Sequence, residues 1–531
     1  MQIDRVYTAP PLFIISLILL LSTIFPTGCI LLHTTKFRLI SYHIGDDDGF
    51  TTLYLKFNTS DFITLKLFEP SHVILYRDTF YMGKHNAAIC LSSYRKTPPD
   101  GKYILCIYDK NNNQVFEKKL FFTKPNISII SGKEQWWEEK PDTYVLIGIN
   151  LTIMNHGDLP VYPLDVEILI DNKTMGSYIT LPTILAPGSI GTVYSFTYIK
   201  NIKSEKHQIQ IFLRNTDGET IADASYPVSP HENVSFLRYQ WHYQKEYQVK
   251  IPSSEALYTY YKTQNRLNTD DYAAYVFDPY DDMFLKMFTE EILRFYKQND
   301  DVGKINFVAS FVQKSLEYME DDPSDPEYEY PRYPVEMLID KHGDCEDKAI
   351  LTAAILDYIG YNVSLLRLPN HMAVGVHLNK SIPGYSYYIK KYYYLETTQK
   401  GWRLGNIPKE YRNISDITVY PISCRPLLIH SWKNATHYFT TDGKDFVKIK
   451  ILLENLGEET AKNVEVKAGF FSGDNQCYNG ETITIPILEA RGEKILNMKV
   501  TVPSGISTIL KTQVYLNSKM VDEKKSDSWF P

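Results

Sequence analysis

The sequence predicts a multidomain chain: an N-terminal transmembrane helix, several β-sandwiches, and one central α+β domain. Three observations predict this. A chain of 531 residues exceeds what one core serves, at about 150 residues per domain. Apolar residues alternate with period two along most of the chain, but recur three and four apart in part of the segment 235–424. Finally, the run "PLFIISLILLLSTIFPTGCILL", Pro11 to Leu32, carries no charge and is long enough to cross about 30 Å of hydrocarbon.

The N-terminal segment 1–33 reads as a membrane anchor or export signal. Arg5 precedes the apolar run while Lys36 and Arg38 follow it, so charge alone does not orient it. "PTGC", ending at Cys29, is similar to a bacterial lipobox, with Pro26 replacing the usual aliphatic residue. N-x-S/T acceptors at Asn58, Asn126, Asn150, Asn172, Asn233, Asn362, Asn379, Asn413 and Asn434 place the rest of the chain outside the cell as a glycoprotein. The cysteines agree with an oxidising compartment: Cys90 with Cys106 and Cys424 with Cys477 are close enough in sequence for two local disulfides, leaving Cys345 as a free thiol. With 44% hydrophobic residues, 22% charged residues and a net charge of −7, the composition is globular and lacks the basic excess that nucleic-acid binding requires.

Residues 34–123 alternate as short strands, such as "TTLYLKF" and "FITLKLF", broken by Asp, Asn, Pro and Gly. They predict a first sandwich. Residues 124–230 and 425–531 predict two more, and these look like copies. "INLTIMNHGDLPVYPLDVEILI" and "IKILLENLGEETAKNVEVKAGF" each place an Asn-x-Gly turn, at Asn155–Gly157 and Asn455–Gly457, between two strands. "LPTILAPGS" and "IPILEARGE" each then set a Leu before a glycine-containing turn. Both regions resemble the cell-adhesion-related β-sandwich of archaeal and bacterial surface proteins, an immunoglobulin-like module. That resemblance implies spacers or ligand-neutral scaffolds.

Between them, residues 235–424 change period. "DDMFLKMFTEEILRFYKQ" and "KINFVASFVQKSLEYM" read as amphipathic helices, and strands return with "YNVSLLRLP", "HMAVGVHL" and "YYYLETT". A helical half followed by a sheet is an α+β domain. In "KHGDCEDKAILTAAIL" Asp344 is a helix N-cap and Asp347 its reciprocal partner, with Ala349, Ile350, Ala353, Ala354 and Leu356 as the buried stripe. Cys345 then opens the helix, where free N–H groups and the dipole favour a thiolate, against the opposing charges of Glu346 and Asp347. Period-two alternation puts His371, Ala373, Gly375 and His377 on one strand face and Met372, Val374, Val376 and Leu378 on the other. The strand "YYYLETT" brings Glu396 to the far side of the His371 imidazole.

The order of Gly-Asp-Cys at a helix start, His-Met-Ala-Val opening a strand, and Tyr-Tyr-Leu-Glu-Thr-Thr on the next resembles the transglutaminase-like superfamily of papain-type cysteine enzymes. The resemblance spans roughly 306–408 and is closest to archaeal membrane-associated members. It implies a triad of Cys345, His371 and Glu396, with Glu standing where Asp is commoner. It also implies an oxyanion donor, for which Gln313 is a candidate; the alternative is that Gln313 is a helix-surface residue. The acidic, aromatic loop from Glu317 to Pro334 lines a cleft or is a solvated loop, and His342 takes no role.

The expected activity is acyl transfer from an amide through a thioester, with hydrolysis favoured over crosslinking. The expected substrate is a protein, a peptide or a cell-surface polymer, with no cofactor and no metal. The competing reading is a non-catalytic adhesion or scaffold protein that keeps the fold.

Overall fold

A computed structural model describes residues 4–7, 36–267, 269–321, 329–382, 388–412, 414–422, 425–440 and 444–530. The apolar run 11–32 with Cys29, and also Cys424, lie outside the described residues. Among the described residues, no helix is long and apolar enough to cross a membrane.

The first sandwich sets a sheet of Phe37–Asp46, Thr51–Thr59 and Gly83–Cys90 against a four-stranded sheet ordered Ile74–Phe80, Ile63–Phe68, Gly101–Asp109, Gln114–Phe122. Leu53, Phe57, Leu65, Tyr103, Leu105 and Ile107 fill the space between. Alternation decides the fate of its cysteines and overturns the expected Cys90–Cys106 bridge: both thiols are free. Ala87 and Ile89 point inward on one sheet, and Tyr103, Leu105 and Ile107 do so on the other. Cys90 and Cys106 have the opposite parity on facing sheets, so their side chains project away from each other. Cys90 Sγ instead donates to the Ser92 carbonyl at 3.0 Å.

The second sandwich packs the sheet Ile127–Lys140, Thr143–Asn155, Ile190–Lys203 on the sheet Lys173–Ile179, Pro163–Ile170, His207–Asn215, Thr220–Val228. Its three-stranded sheet is apolar on both faces. Trp136, Leu146, Ile149 and Leu151 belong to the core between the two sheets. Trp137, Val145, Ile147, Phe196 and Tyr198 belong instead to the core of the α+β domain. This module is therefore fused to its neighbour rather than strung beside it as a spacer.

The third sandwich repeats the second. Asn155 Nδ2 donates to the carbonyls of Leu159 at 2.8 Å and Leu185 at 3.0 Å, while its Oδ1 accepts from Gly157 N at 2.9 Å. Asn455 Nδ2 donates to Glu459 O at 2.8 Å and Glu489 O at 2.9 Å, and its Oδ1 accepts from Gly457 N at 3.2 Å. Each buried amide thus closes its own turn and ties it to the segment that carries Leu185 or Leu488. Asp4–Tyr7 adds a short parallel strand beside Leu428–Phe439 of this sandwich.

The α+β domain begins with a hairpin, Phe236–Tyr243 with Lys245–Pro252. Helices α1 (Glu255–Thr263), α2 (Asp282–Leu293), α3 (Asp301–Ser315), α4 (Pro334–Asp340) and α5 (Cys345–Tyr358) follow. Strands β1 (Asn362–Leu368), β2 (His371–His377), β3 (Tyr388–Ile389), β4 (Tyr392–Leu395) and β5 (Thr418–Pro421) form one antiparallel sheet ordered β3-β4-β2-β1-β5. Met372, Val374 and Val376 face the helices. Ala373 joins Leu366, Leu368, Tyr394 and Ile407 in a smaller core behind the sheet.

Helix α5 differs from the expected one-sided stripe, since every residue from Glu346 to Leu356 is buried. A helix enclosed on all sides sits in the middle of its domain. Asp347 and Lys348 are buried with partners elsewhere in the chain, Arg332 and the Leu316 carbonyl, while Glu346 meets its neighbours Cys345 and Asp344.

Candidate active site

Cys345 opens α5 as expected. Asp344 N donates to Asp347 Oδ2 at 3.2 Å, and the Asp344 side chain accepts from Asp347 N, closing the capping box. The surroundings of the thiol oppose the helix end. The Cys345 thiol donates to Glu346 Oε2 at 3.0 Å. Burial first, then the Glu346 and Asp344 charges, push the thiol far above its ordinary range, against a lowering contact from the Met372 backbone. Burial and two adjacent acids together outweigh the partial charge of one helix end.

Those carboxylates are themselves crowded. Asp321, Asp344 and Glu346 bring oxygens within 4.8 Å of one another. Burial and mutual repulsion raise both Asp344 and Glu346 above the usual carboxylate range. Asp347 is fully enclosed and held by Arg332, whose backbone N–H and guanidinium reach it at 2.7 and 2.5 Å. Arg332 also reaches Asp321 at 3.1 Å. The described part of the Glu317–Pro334 loop is therefore wired to the start of α5. Glu317 and Tyr318 pair in parallel with His342 and Gly343 just ahead of Cys345.

His371 sits where β2 begins, one residue from the Met372 backbone that Cys345 approaches. Its Nε2 lies 3.2 Å from Glu396 Oε2, and its ring stacks on Tyr411 with centroids 5.1 Å apart and planes 5° apart. Nδ1 is then the ring nitrogen left for a thiol. Glu396 directly follows β4 and is 1% exposed. It accepts from the Tyr394 hydroxyl at 2.7 Å, from the Thr397 and Thr398 N–H groups at 3.1 and 2.9 Å, and from the Thr398 hydroxyl at 2.6 Å. Despite its burial, these donors and His371 hold its pKa down at about 2. Such a carboxylate stays ionised, fixes the imidazole, and stabilises an imidazolium. The longer Glu side chain spans to His371 after all.

Gln313 is not placed to bind an oxyanion. Its Nε2 donates to the carbonyls of Glu396 at 2.8 Å and Trp402 at 3.1 Å, and its Oε1 accepts from Gly401 N at 3.0 Å. The amide is consumed in pinning the segment after Glu396. It is also 1% exposed, which excludes the helix-surface alternative. Gln313 is a positioning residue for β4 and the turn beyond it. His342 lies on the short strand before Cys345, its Nδ1 buried without a partner.

Residues missed from sequence are Tyr394, Thr398 and Tyr411, which surround the His371–Glu396 pair, and Arg332, which neutralises Asp347. The string "YLETT" carried a signal for two of them, because hydroxyls flanking a strand-end acid are ready donors to it.

Residues 286–406 match the family model described as a transglutaminase-like domain. The centre of this chain is a transglutaminase-like domain carried among β-sandwiches. No curated protein matches the chain. Solved structures with similarity include the fibronectin(III)-like modules of Clostridium thermocellum CbhA, at 10% identity over 37% of this chain and 94% of that one, TM-score 0.14. A two-domain fibronectin type III segment from chicken tenascin matches at 11% identity over 36% and 98%, TM-score 0.17. A beta-glucuronidase from glycoside hydrolase family 2 matches at 10% identity over 90% and 73%, TM-score 0.18. Scores this low carry no argument about fold or activity.

Proposed function

We propose that this protein is a membrane-attached, outward-facing cysteine enzyme that cleaves amide bonds in proteins, peptides or surface polymers. The observation that carries the proposal is the buried Glu396 carboxyl at 3.2 Å from His371 Nε2, on the strand next to the one whose Met372 backbone meets Cys345 at a helix N-terminus. In the working state the thiol leaves Glu346 and gives its proton to His371 Nδ1. The thiolate sulfur then forms a bond to the amide carbon, and the negative oxygen is met by the Cys345 backbone N–H. The C–N bond breaks as His371 returns the proton to the departing amine. Water attacks the thioester, restoring the thiol and releasing a carboxylic acid. Transfer to an amine instead of water would require exclusion of water, which makes hydrolysis the preferred reading.

The thiol's bond to Glu346 favours a second reading, a domain that keeps the fold without turnover. Alkylation kinetics decide between them. An enzyme gives a Cys345 alkylation rate that falls in His371→Ala and an amidase activity abolished in Cys345→Ala. Equal alkylation rates in wild type and His371→Ala, with no turnover of peptide or amine-acceptor libraries, would establish the scaffold.

Membrane attachment rests on the uncharged run 11–32, and the outside location on the N-x-S/T acceptors. Pairing of Asp4–Tyr7 with the third sandwich keeps both ends of that run on one side of a bilayer, so a single crossing requires this short strand to detach. Digestion of the bulk of the chain on intact cells, with an N-terminal tag protected, supports a single crossing with an outside enzyme. Digestion only after lysis refutes the outside location.

A further inference from the structure

The outer face of the four-stranded sheet in the first sandwich is open, and its register sorts the side chains into rows. Ile74, Phe68, Ile104 and Lys119 stand opposite one another across the four strands, and Arg77, Lys66, Cys106 and Glu117 form the next row. Lys102 stands opposite Phe121 at the end of the sheet. Residues opposite one another in an antiparallel ladder share a face. Neighbours across the rows agree: Lys66 Nζ sits 4.2 Å from the Tyr108 ring centroid, and Lys66, Tyr108 and Glu117 all act on the Cys106 thiol.

This arrangement gathers Phe68, Ile74, Ile104 and Phe121 at one end, flanked by Lys66, Arg77, Lys102 and Lys119, with Glu117 as the acid among them. The bounding turns add Glu69 and Asp100 at that end and Lys110 at the other. Phe121 is 65% exposed, Ile74 46%, and the adjoining Val73 59%. In a chain of net charge −7, the four bases against Glu117, Glu69 and Asp100 leave this end slightly positive, with the bases on the sheet face itself around the exposed apolar side chains.

The opposite end of the same sheet is where the chain enters. Lys36 Nζ binds Asp109 Oδ2 at 3.0 Å, and Asp109 ends the strand that begins at Gly101. The apolar run stops at Leu32, so fewer than six residues separate it from the first strand, a reach of at most about 17 Å. The tether at Asp109 and the apolar cluster in the Ile104 and Lys102 rows stand about 17 to 23 Å apart along the sheet, at roughly 3.3 Å per residue. A domain held this closely at one end, and sticky at the other, lies flat.

We propose that this face docks on anionic phospholipid headgroups, with Phe121 and Ile74 entering the headgroup boundary and Lys66, Arg77, Lys102 and Lys119 meeting the phosphates. The docking rests on the reading that 11–32 sits in a membrane. Apolar insertion combined with basic side chains is the chemistry of interfacial lipid binding.

The test reconstitutes the full chain with neutral or anionic vesicles, reads lysine acetylation by mass spectrometry, and reads membrane insertion by carbonate extraction. Lys102 and Lys119 should be protected about fivefold on anionic relative to neutral vesicles, the factor expected of about 1 kcal/mol per basic residue. The protection should vanish at high salt and weaken in Phe121→Ser. Equal acetylation on both vesicles, with the chain carbonate-resistant, overturns the docking and leaves the anchor standing. Protected lysines in a carbonate-extractable chain overturn the anchor and leave the docking standing. Protection by soluble polyphosphate that matches the vesicles and survives Phe121→Ser would assign the face to a polyanionic polymer and overturn the lipid.

Discussion

Burial, and after it the neighbouring Glu346 and Asp344, act on the Cys345 thiol against the helix end, and together they hold it protonated. Glu346→Gln removes the hydrogen-bonded charge that holds the thiol protonated. Its expected effect is faster Cys345 alkylation near neutral pH, about tenfold for each unit that the thiol pKa falls; an unchanged rate would show that burial alone sets it. Glu396 runs the other way. Its pKa lies at about 2 against an ordinary 4.5, so its stabilisation is complete above about pH 4.5 and is lost as pH falls toward 2. A drop of that size corresponds to roughly 3 kcal/mol. Glu396→Gln should therefore lower Tm at pH 7 while leaving the protein's acid unfolding shallower below pH 4.5, as read by thermal melts across pH. The positions of Cys345, His371 and Glu396 were legible because each is set by a local pattern, a cap or a two-residue period. Gln313 was not, because its partners Glu396, Gly401 and Trp402 lie more than eighty positions away.

Helix α5 shows what a local pattern leaves out. Its apolar residues predicted a stripe, yet Glu346, Asp347 and Lys348 are buried as well. Lys348 Nζ donates to Leu316 O at 2.8 Å beyond the end of α3, and Arg332 pairs with Asp347. Partners supplied by other elements make charged positions into interior ones, and no periodicity contains them. Arg332→Met leaves Asp347 buried and unpaired, so it should cost about 3 kcal/mol or more in denaturant unfolding. A loss under 1 kcal/mol would show the pair to be dispensable. The repeated turn was legible in full, because one residue does the same task twice. Asn155→Ala and Asn455→Ala each orphan buried carbonyls and a turn N–H, and each should cost on the order of 2 kcal/mol in chemical denaturation.

Across the whole molecule, acids accumulate where the first and third sandwiches meet the α+β domain. Asp278, Asp282 and Asp357 come from the α+β domain and Glu454, Glu458 and Glu493 from the third sandwich, with Arg491, Lys433 and Arg95 as the nearby cations. Burial raises Asp282 and Asp357 to about 6 and Glu454 to about 7. A raised carboxylate stabilises the fold fully below its unfolded pKa and loses that contribution as pH rises through its folded one. Tm should accordingly be higher at pH 5 than at pH 8, and Glu454→Gln should raise Tm at pH 8 while narrowing the gap. A pH-independent Tm would refute this. Domain order could be read from shifts in periodicity, but contact between domains could not, since it depends on which side of a strand meets a neighbour.

Trp136 and Trp137 make that contact concrete, because adjacent residues face two separate cores. The sheet of the second sandwich is a party wall between two rooms. A fragment cut at residue 235 to isolate the α+β domain would lose that wall and present bare Phe284, which packs on Phe196, to water. It should precipitate where a fragment beginning near residue 124 stays in solution, so the smallest portable form of the transglutaminase-like domain carries an immunoglobulin-like partner with it.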